Sequence, residues 1–295
     1  MQIPDPTVVL NHKCVLGEGP VWDAEKQKLL WVDIQQGVIH QYDPDSGSHR
    51  IFETGKLTGF IVLTKSGKII AGLQDGFSEI DLETGSVSDA ITPGDHPDTN
   101  RFNDGKCDPE GRVWAGTMSI KDDVPNAGKL YMFDTDRTVS VKLDPVTISN
   151  GLAWSGDGKL LYYIDTPTNV VVAFDYDGKT ASIKNKRTII TFPENFGHPD
   201  GMTIDAEGML WIAFWDGWKI ARFNPNNGQL LDQINFPVAR VTCCTFGGKN
   251  LDELYVTTAS IGLTEKQMLE QPLAGKLFVI KNVGINGMPP NRFNG

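Results

Sequence analysis

The stretch Met202-TIDAEGMLWIAFWDGWKIARFNPNN-Gly228 decides the fold. An apolar run meets an Asp-Ala-Glu-Gly turn, a second run from Leu210 to Trp215 meets Asp216-Gly217, and a third from Lys219 to Phe223 ends on Asn-Pro-Asn-Asn-Gly. Short β-rich runs bounded by Gly, Asp and Asn clusters read as an antiparallel meander. The same order returns in Val21-WDAEKQKLLWVDIQQGVIHQYDPDS-Gly47, Ile61-VLTKSGKIIAGLQDGFSEIDLET-Gly85 and Leu152-AWSGDGKLLYYIDTPTNVVVAFDYD-Gly178. It is split in Lys106-CDPEGRVWAGT-Met118 with Gly128-KLYMF-Asp134, and looser in Thr245-FGGKNLDELYVTT-Ala259 with Gly275-KLFVIK-Asn282. Successive units start roughly 40 to 50 residues apart, the period of four-stranded propeller blades.

One such sheet cannot bury its faces alone, so neighbours are required, and ring closure protects the sheet edges. The expected fold is therefore all-β, a six-bladed β-propeller with four-stranded antiparallel blades around a central channel. With no linker between units, residues 1–295 are expected to form one domain. The helical candidate is Thr264 to Glu270, capped by Thr264 and stopped by Pro272. Two polar loops, from about Ile91 to Asn100 and from Ser119 to Ala127, are candidates to cover one end of the ring.

The 295 residues are 40% hydrophobic and 22% charged, which excludes intrinsic disorder, and a net charge of −10 repels nucleic-acid phosphates and anionic lipid. No apolar run reaches the roughly 20 residues that span a bilayer. No signal peptide is read in MQIPDPTVVL, so a cytoplasmic location is expected, with no nucleic acid, membrane or obligate protein partner. Cys14, Cys107, Cys243 and Cys244 show no CxxC spacing and no neighbouring spaced histidines, and read as reduced core thiols. The histidines His12, His40, His49, His96 and His198 read as scattered. Trp31, Trp114, Trp154 and Trp211 recur within units as blade packing, whereas Trp215 and Trp218 depart from the pattern and are candidates for the channel rim.

Four unit junctions carry polar residues that the repeat does not require: Glu18, Asn103, Asn150 and Asp200, each an acid or amide in a Gly-containing junction before an apolar strand. Equivalent positions on inner strands converge on a propeller's axis, so four oxygen-bearing side chains would meet at one depth. Two carboxylates and two amides make an all-oxygen shell suited to Ca²⁺, Mg²⁺ or Mn²⁺, with Zn²⁺ ranked lower. The competing reading is that N-G and D-G are turn dipeptides and nothing more. Arg101, two residues before Asn103, can face the same channel to bind a polyol or an oxyanion, or else make a surface ion pair.

At Gly17-EGPVW-Asp23, Arg101-FNDGKCDPEGRVWAGT-Met118, Ile148-SNGLAW-Ser155, Tyr163-Ile164-Asp165, Pro199-DGMTIDAEGMLWI-Ala213, Cys244-TFGGKNLDELYVTT-Ala259 and Pro272-LAGKL-Phe278 the chain resembles the SMP-30/gluconolactonase/luciferin-regenerating-enzyme (regucalcin-like) family. The resemblance covers essentially the whole chain. It implies a six-bladed propeller with one divalent cation in the channel, held by Glu18, Asn150 and Asp200. It further implies Arg101 and Asn103 as substrate contacts, with Asn103 touching the metal directly or through water, and Asp200 as general base. The implied reaction is metal-dependent hydrolysis of a sugar lactone to an aldonate. Alternatives on the same site are a luciferin-regenerating or organophosphate-type hydrolase, or a calcium- or ligand-binding propeller without turnover. Where some animal members carry a substrate-contacting Glu after the GTM, this chain has Ser119-Ile120-Lys121, so their sugar preference does not transfer.

Overall fold

The computed structural model describes residues 3–121 and 124–295. Six antiparallel four-stranded sheets follow one another around a ring, a six-bladed β-propeller. The inner strands, counted as blades one to six, are Gly17–Asp23, Thr58–Leu63, Asn100–Cys107, Ser149–Trp154, His198–Ile204 and Val241–Gly247. Blades one to five each add their three further strands in chain order. Blade six instead takes its outermost strand from the other end of the chain: Thr7–Val8 pairs with Phe278–Ile280, so the N-terminal segment closes the ring.

Burial explains the composition of each strand. Second strands such as Leu210–Trp215 and Ile69–Leu73 have neighbouring blades against both faces and are almost wholly buried, hence their continuous apolar runs. Outer strands such as His49–Glu53 and Leu230–Asn235 face solvent and carry charged or polar residues between apolar ones. Six apolar clusters fill the six gaps between adjacent blades; Phe60, Phe77, Phe102 and Phe133 join blades two and three, and Trp114, Trp154 and Tyr176 join three and four. All four recurring tryptophans are buried in these gaps, as packing requires. Truncating one to Ala is expected to cost about 3–5 kcal/mol.

The short helix forms as expected over Glu265–Glu270, with a capping box between Thr264 and Gln267. Thr99 and Ile120 are joined by a backbone hydrogen bond of 2.8 Å, which brings the two polar loops together at the start of the blade-three inner strand. Asp122 and Asp123 of the second loop lie outside the described residues. No described helix is long and apolar enough to cross a membrane.

Candidate functional site

Each inner strand slips register against its neighbour near its N-terminal end, between Glu18 and Val21, Thr58 and Phe60, Phe102 and Gly105, Asn150 and Leu152, Pro199 and Met202, and Val241 and Cys243. Such bulges re-aim side chains out of the regular alternation. The four junction residues also share one offset: Glu18, Asn103, Asn150 and Asp200 each stand five positions before Asp23, Asp108, Ser155 or Asp205, which open the first turn of their blades. Blade two has Gly59 at that offset before Thr64, and blade six has Thr242 before Gly247.

The inner strands press together at this depth. A Cβ on Gly151 would lie 2.9 Å from the Asp200 carbonyl oxygen, and one on Gly201 would lie 2.3 Å from Cys243 Sγ, so both positions need glycine. Thr242 Oγ1 donates to the Gly17 carbonyl at 2.6 Å, linking blade six to blade one.

Glu18, Arg101, Asn103, Asn150 and Asp200 are all buried, at 8% exposure or less. Arg101 is therefore no surface ion-pair residue. Its Nη1 donates to Asn103 Oδ1 at 2.7 Å, and Asn103 Nδ2 in turn donates to Asn150 Oδ1 at 3.2 Å and to the Ser149 carbonyl at 2.8 Å. Asn150 Nδ2 donates to Thr166 Oγ1 at 2.8 Å, and Thr166 donates to the Pro199 carbonyl at 2.8 Å, beside Asp200. This chain of amides fixes Asn150 with its oxygen toward Asn103 and its nitrogen toward the blade-four loop.

Three residues on this network escaped the sequence reading. Asp104, in Asn103-Asp104-Gly105, reads as half of a turn dipeptide, but the bulge buries its carboxylate, with Oδ2 lacking any hydrogen-bond partner. Lys106 lies near the end of the polar inner strand Asn100–Cys107, and its Nζ donates to the Met202 carbonyl of blade five. Thr166 follows the second strand of blade four at the place Ile34 takes in blade one, so that only its hydroxyl departs from the repeat. For Asp104 the available signal was a second acid adjoining a junction amide.

Electrostatics mark the cluster as short of positive charge. Burial, then the neighbouring Asp104, pushes Glu18 upward from 4.5 to about 8, against the smaller pull of Arg101 and Lys106. Burial, then Glu18 and Asp104, raises Asp200 well above the usual carboxylate range, and burial also raises Asp104. Three buried carboxylates face one guanidinium and one ammonium, and one carboxylate oxygen has no partner at all. A hard divalent cation fits this donor set: the available atoms are carboxylate and amide oxygens, and Glu18, Asn150 and Asp200 would hold it.

The other candidates separate from the cluster. His198 is exposed, Trp218 is 43% exposed, and Trp215 packs partly against the apolar gap between blades one and two, with the Arg240 guanidinium 4.7 Å above its ring. Lys121 is exposed. A cavity of about 560 Å³ occupies the channel beyond the bulges, lined by Lys106, Thr203, Cys243 and Thr245 and by Met288 to Asn291 of the C-terminal tail. Of the polar cluster, Asp104 and Lys106 reach it. The four cysteines are unpaired and buried, as expected. The histidines are not scattered, however. Strand pairing brings His40 and His49 together, and the N-terminal segment lays His12 and Cys14 against them.

The family model for the SMP-30/Gluconolactonase/LRE-like region matches residues 16–260. The chain is 38% identical over 274 residues to the Bacillus subtilis (strain 168) protein named "Putative sugar lactone lactonase YvrE", covering 93% of this chain and 94% of that one. It is 39% identical over 292 residues to regucalcin of Bos taurus, covering 97% of each. Among solved structures it matches a calcium-binding protein, regucalcin, from Agrobacterium tumefaciens str. C58, with a TM-score of 0.93 at 25% identity, covering 99% of this chain and 98% of that one.

Proposed function

The chain belongs to the SMP-30/gluconolactonase/LRE-like family, and from that premise we propose that it is a divalent-metal-dependent lactonase that opens sugar lactones to aldonates at the channel cluster. The observation that carries this reading is the buried meeting of Glu18, Asp104 and Asp200 with Arg101 and two oriented amides. Glu18, Asn150 and Asp200 would hold a divalent cation, which would supply Lewis-acid polarisation of the lactone carbonyl. The name of the Bacillus relative supports the substrate class, and that of the Agrobacterium structure supports a cation such as calcium.

The chain's own residues divide the remaining work. Arg101, steadied by Asn103, presents its guanidinium to the sugar hydroxyls and to the developing negative charge. Asp200 accepts a proton from the attacking water as the water oxygen bonds to the carbonyl carbon. When the tetrahedral intermediate collapses, the bond to the ring oxygen breaks and Asp200 returns the proton to that oxygen. The product acid then ionises, so each turnover releases one proton to solution. Neither a nucleophilic serine nor a cysteine is needed; the cysteine nearest the cluster, Cys243, is held as a neutral thiol by burial.

Proton release on adding glucono-1,5-lactone, then xylono- and galactono-lactones, to chelator-stripped protein tests the proposal. Rates above the spontaneous background that return with Ca²⁺, Mg²⁺, Mn²⁺ or Zn²⁺ are expected. Background rates with every cation, from folded and metal-loaded protein, would overturn it in favour of a binding propeller or another hydrolysable substrate.

A further inference from the structure

The seam where the ring closes carries a second constellation, made of other residues than the channel cluster, although Cys14 packs against Gly17, the residue before Glu18. After pairing with blade six through Thr7–Val8, the chain continues along that blade, with Val9 and Cys14 donating backbone hydrogen bonds to Leu277 and Gly275. It then crosses to blade one, where the Val15 and Leu16 amides donate to the Asp33 carboxylate at 2.7 and 3.1 Å. Cys14 and Trp31 are members of the apolar cluster that fills this gap.

Beside Cys14, strands Val38–Tyr42 and His49–Glu53 pair so that Tyr42 opposes His49 and His40 opposes Ile51. His40 and His49 are then diagonal neighbours on one face. Trp31 stacks on both rings, with centroids 4.7 and 5.5 Å away. Cys14 Sγ lies 3.7 Å from His40 Nε2, and His40 Nδ1 lies 3.0 Å from His49 Nε2. The His12 ring centroid is 4.8 Å from that of His40, and His12 Nε2 is buried with no hydrogen-bond partner. One ligand atom each from His12, Cys14 and His40 lies within 4.8 Å of the others.

We propose that His12, Cys14 and His40, with His49 hydrogen-bonded behind His40, form a zinc-class metal site that clasps the N-terminal segment to blade one at the ring seam. Soft thiolate with imidazole selects zinc-like d¹⁰ cations over calcium or magnesium. Tetrahedral zinc with bonds of about 2.3 Å to sulfur and about 2.0 Å to nitrogen sets sulfur and nitrogen ligands about 3.5 Å apart, close to the Cys14–His40 spacing. In the tautomer the site requires, His40 Nδ1 donates to His49 Nε2 across the 3.0 Å between them and His40 Nε2 keeps a lone pair on the side of Cys14, the usual arrangement behind a ligating histidine. A histidine cluster serving packing alone would leave no reason for a buried, unpartnered His12 Nε2.

The protonation states of these groups set what an incoming ion must displace. Burial, then His12 and His49, lowers His40 to about 3, and burial lowers His49, so both rings are neutral near pH 7. Burial and Asp33 push the Cys14 thiol to about 12. The metal ion therefore displaces the thiol proton, one proton leaving as one metal–sulfur bond forms, and the Asp33 charge favours the incoming cation.

Cobalt(II) is the probe, added alone to the chelator-stripped full chain. A near-ultraviolet thiolate-to-cobalt charge-transfer band with strong visible ligand-field bands is expected, erased by one equivalent of Zn²⁺. Cys14→Ala should abolish the charge-transfer band, and Asp200→Asn should leave it intact. His12→Ala, at a half-buried position the fold tolerates, should weaken cobalt binding at least about tenfold, and His49→Gln about 10- to 100-fold. A folded wild-type chain with no such band, an equal band in Cys14→Ala, or unchanged affinity in His12→Ala would each overturn the proposal.

Discussion

Two sets of buried carboxylates stand in the same propeller and are treated in opposite ways. Asp108 and Asp205 open the first turns of blades three and five and are wholly buried and saturated. Asp205 accepts from the Glu207 and Met209 amides, from Trp211 Nε1 at 2.9 Å and from Arg222 Nε at 2.8 Å. Asp108 repeats the pattern with Glu110, Arg112 and Trp114 and adds Tyr176. Five residues earlier on the same inner strands, Asn103 and Asp200 belong to a cluster in which carboxylates outnumber cations and Asp104 Oδ2 has no partner. The blade meets its own structural needs at the turn and leaves the channel end unsatisfied. A buried polar group left short by a fold that satisfies its neighbours points to a ligand.

The sharpest way to break this contrast is to neutralise one carboxylate of each kind. Asp200→Asn is expected to lower kcat for lactone opening about 10²- to 10⁴-fold, the usual worth of a general base. The same change should leave the melting temperature of cation-free protein near pH 7 about where it is, because burial and its acidic neighbours already hold Asp200 toward the neutral form that the amide imitates; calorimetry beside the proton-release assay checks both. Asp205→Ala should do the reverse. It leaves Trp211 Nε1 and the Glu207 and Met209 amides without their acceptor and takes from Arg222 its buried partner, leaving it Glu207 and Asp232, and is expected to cost about 3–5 kcal/mol in denaturant unfolding, with kcat of the folded fraction unchanged.

Thr166→Val tests the cluster at one remove. With the hydroxyl lost, Asn150 Nδ2 loses its acceptor, and cation affinity measured by calorimetric titration should fall about 10- to 100-fold without loss of fold. The remaining test concerns pH. Glu18 rises from 4.5 to about 8 on folding, so between these values the folded chain binds more protons than the unfolded one. Its contribution to stability is present below the lower value and is lost as pH rises through the upper one. Cation-free protein should therefore melt at lower temperature at pH 8 than at pH 5, and saturating Ca²⁺ should remove that decline.

The fold was legible because the strand–turn–strand order returns in six units, and a repeat needs only local reading. Four of the five proposed site residues stand out as exceptions to that repeat, and Arg101 by its place two residues before Asn103. What stayed hidden depends on contacts distant in sequence. Thr7–Val8 completes blade six by pairing with residues near the other end of the chain, and two residues carry no pattern of their own. Asp104 is turned into the buried cluster by a bulge, and a bulge is set by pairing rather than by composition. His40 and His49 look scattered because hairpin register and ring closure, not spacing, bring them to Cys14, whereas His12 stands two residues before that cysteine, a local signal that the sequence reading missed.

Calcium titration of the chelator-stripped chain near pH 7, with proton release recorded alongside heat, tests the channel reading most directly. Calcium is hard and should ignore the Cys14 constellation. One ion bound per chain, with protons released as Glu18 and Asp200 ionise, is expected in the wild type and in Cys14→Ala, and should be lost in a Glu18→Gln, Asp200→Asn double variant. Undiminished calcium binding by that folded double variant would contradict the placement of the cation among the inner strands.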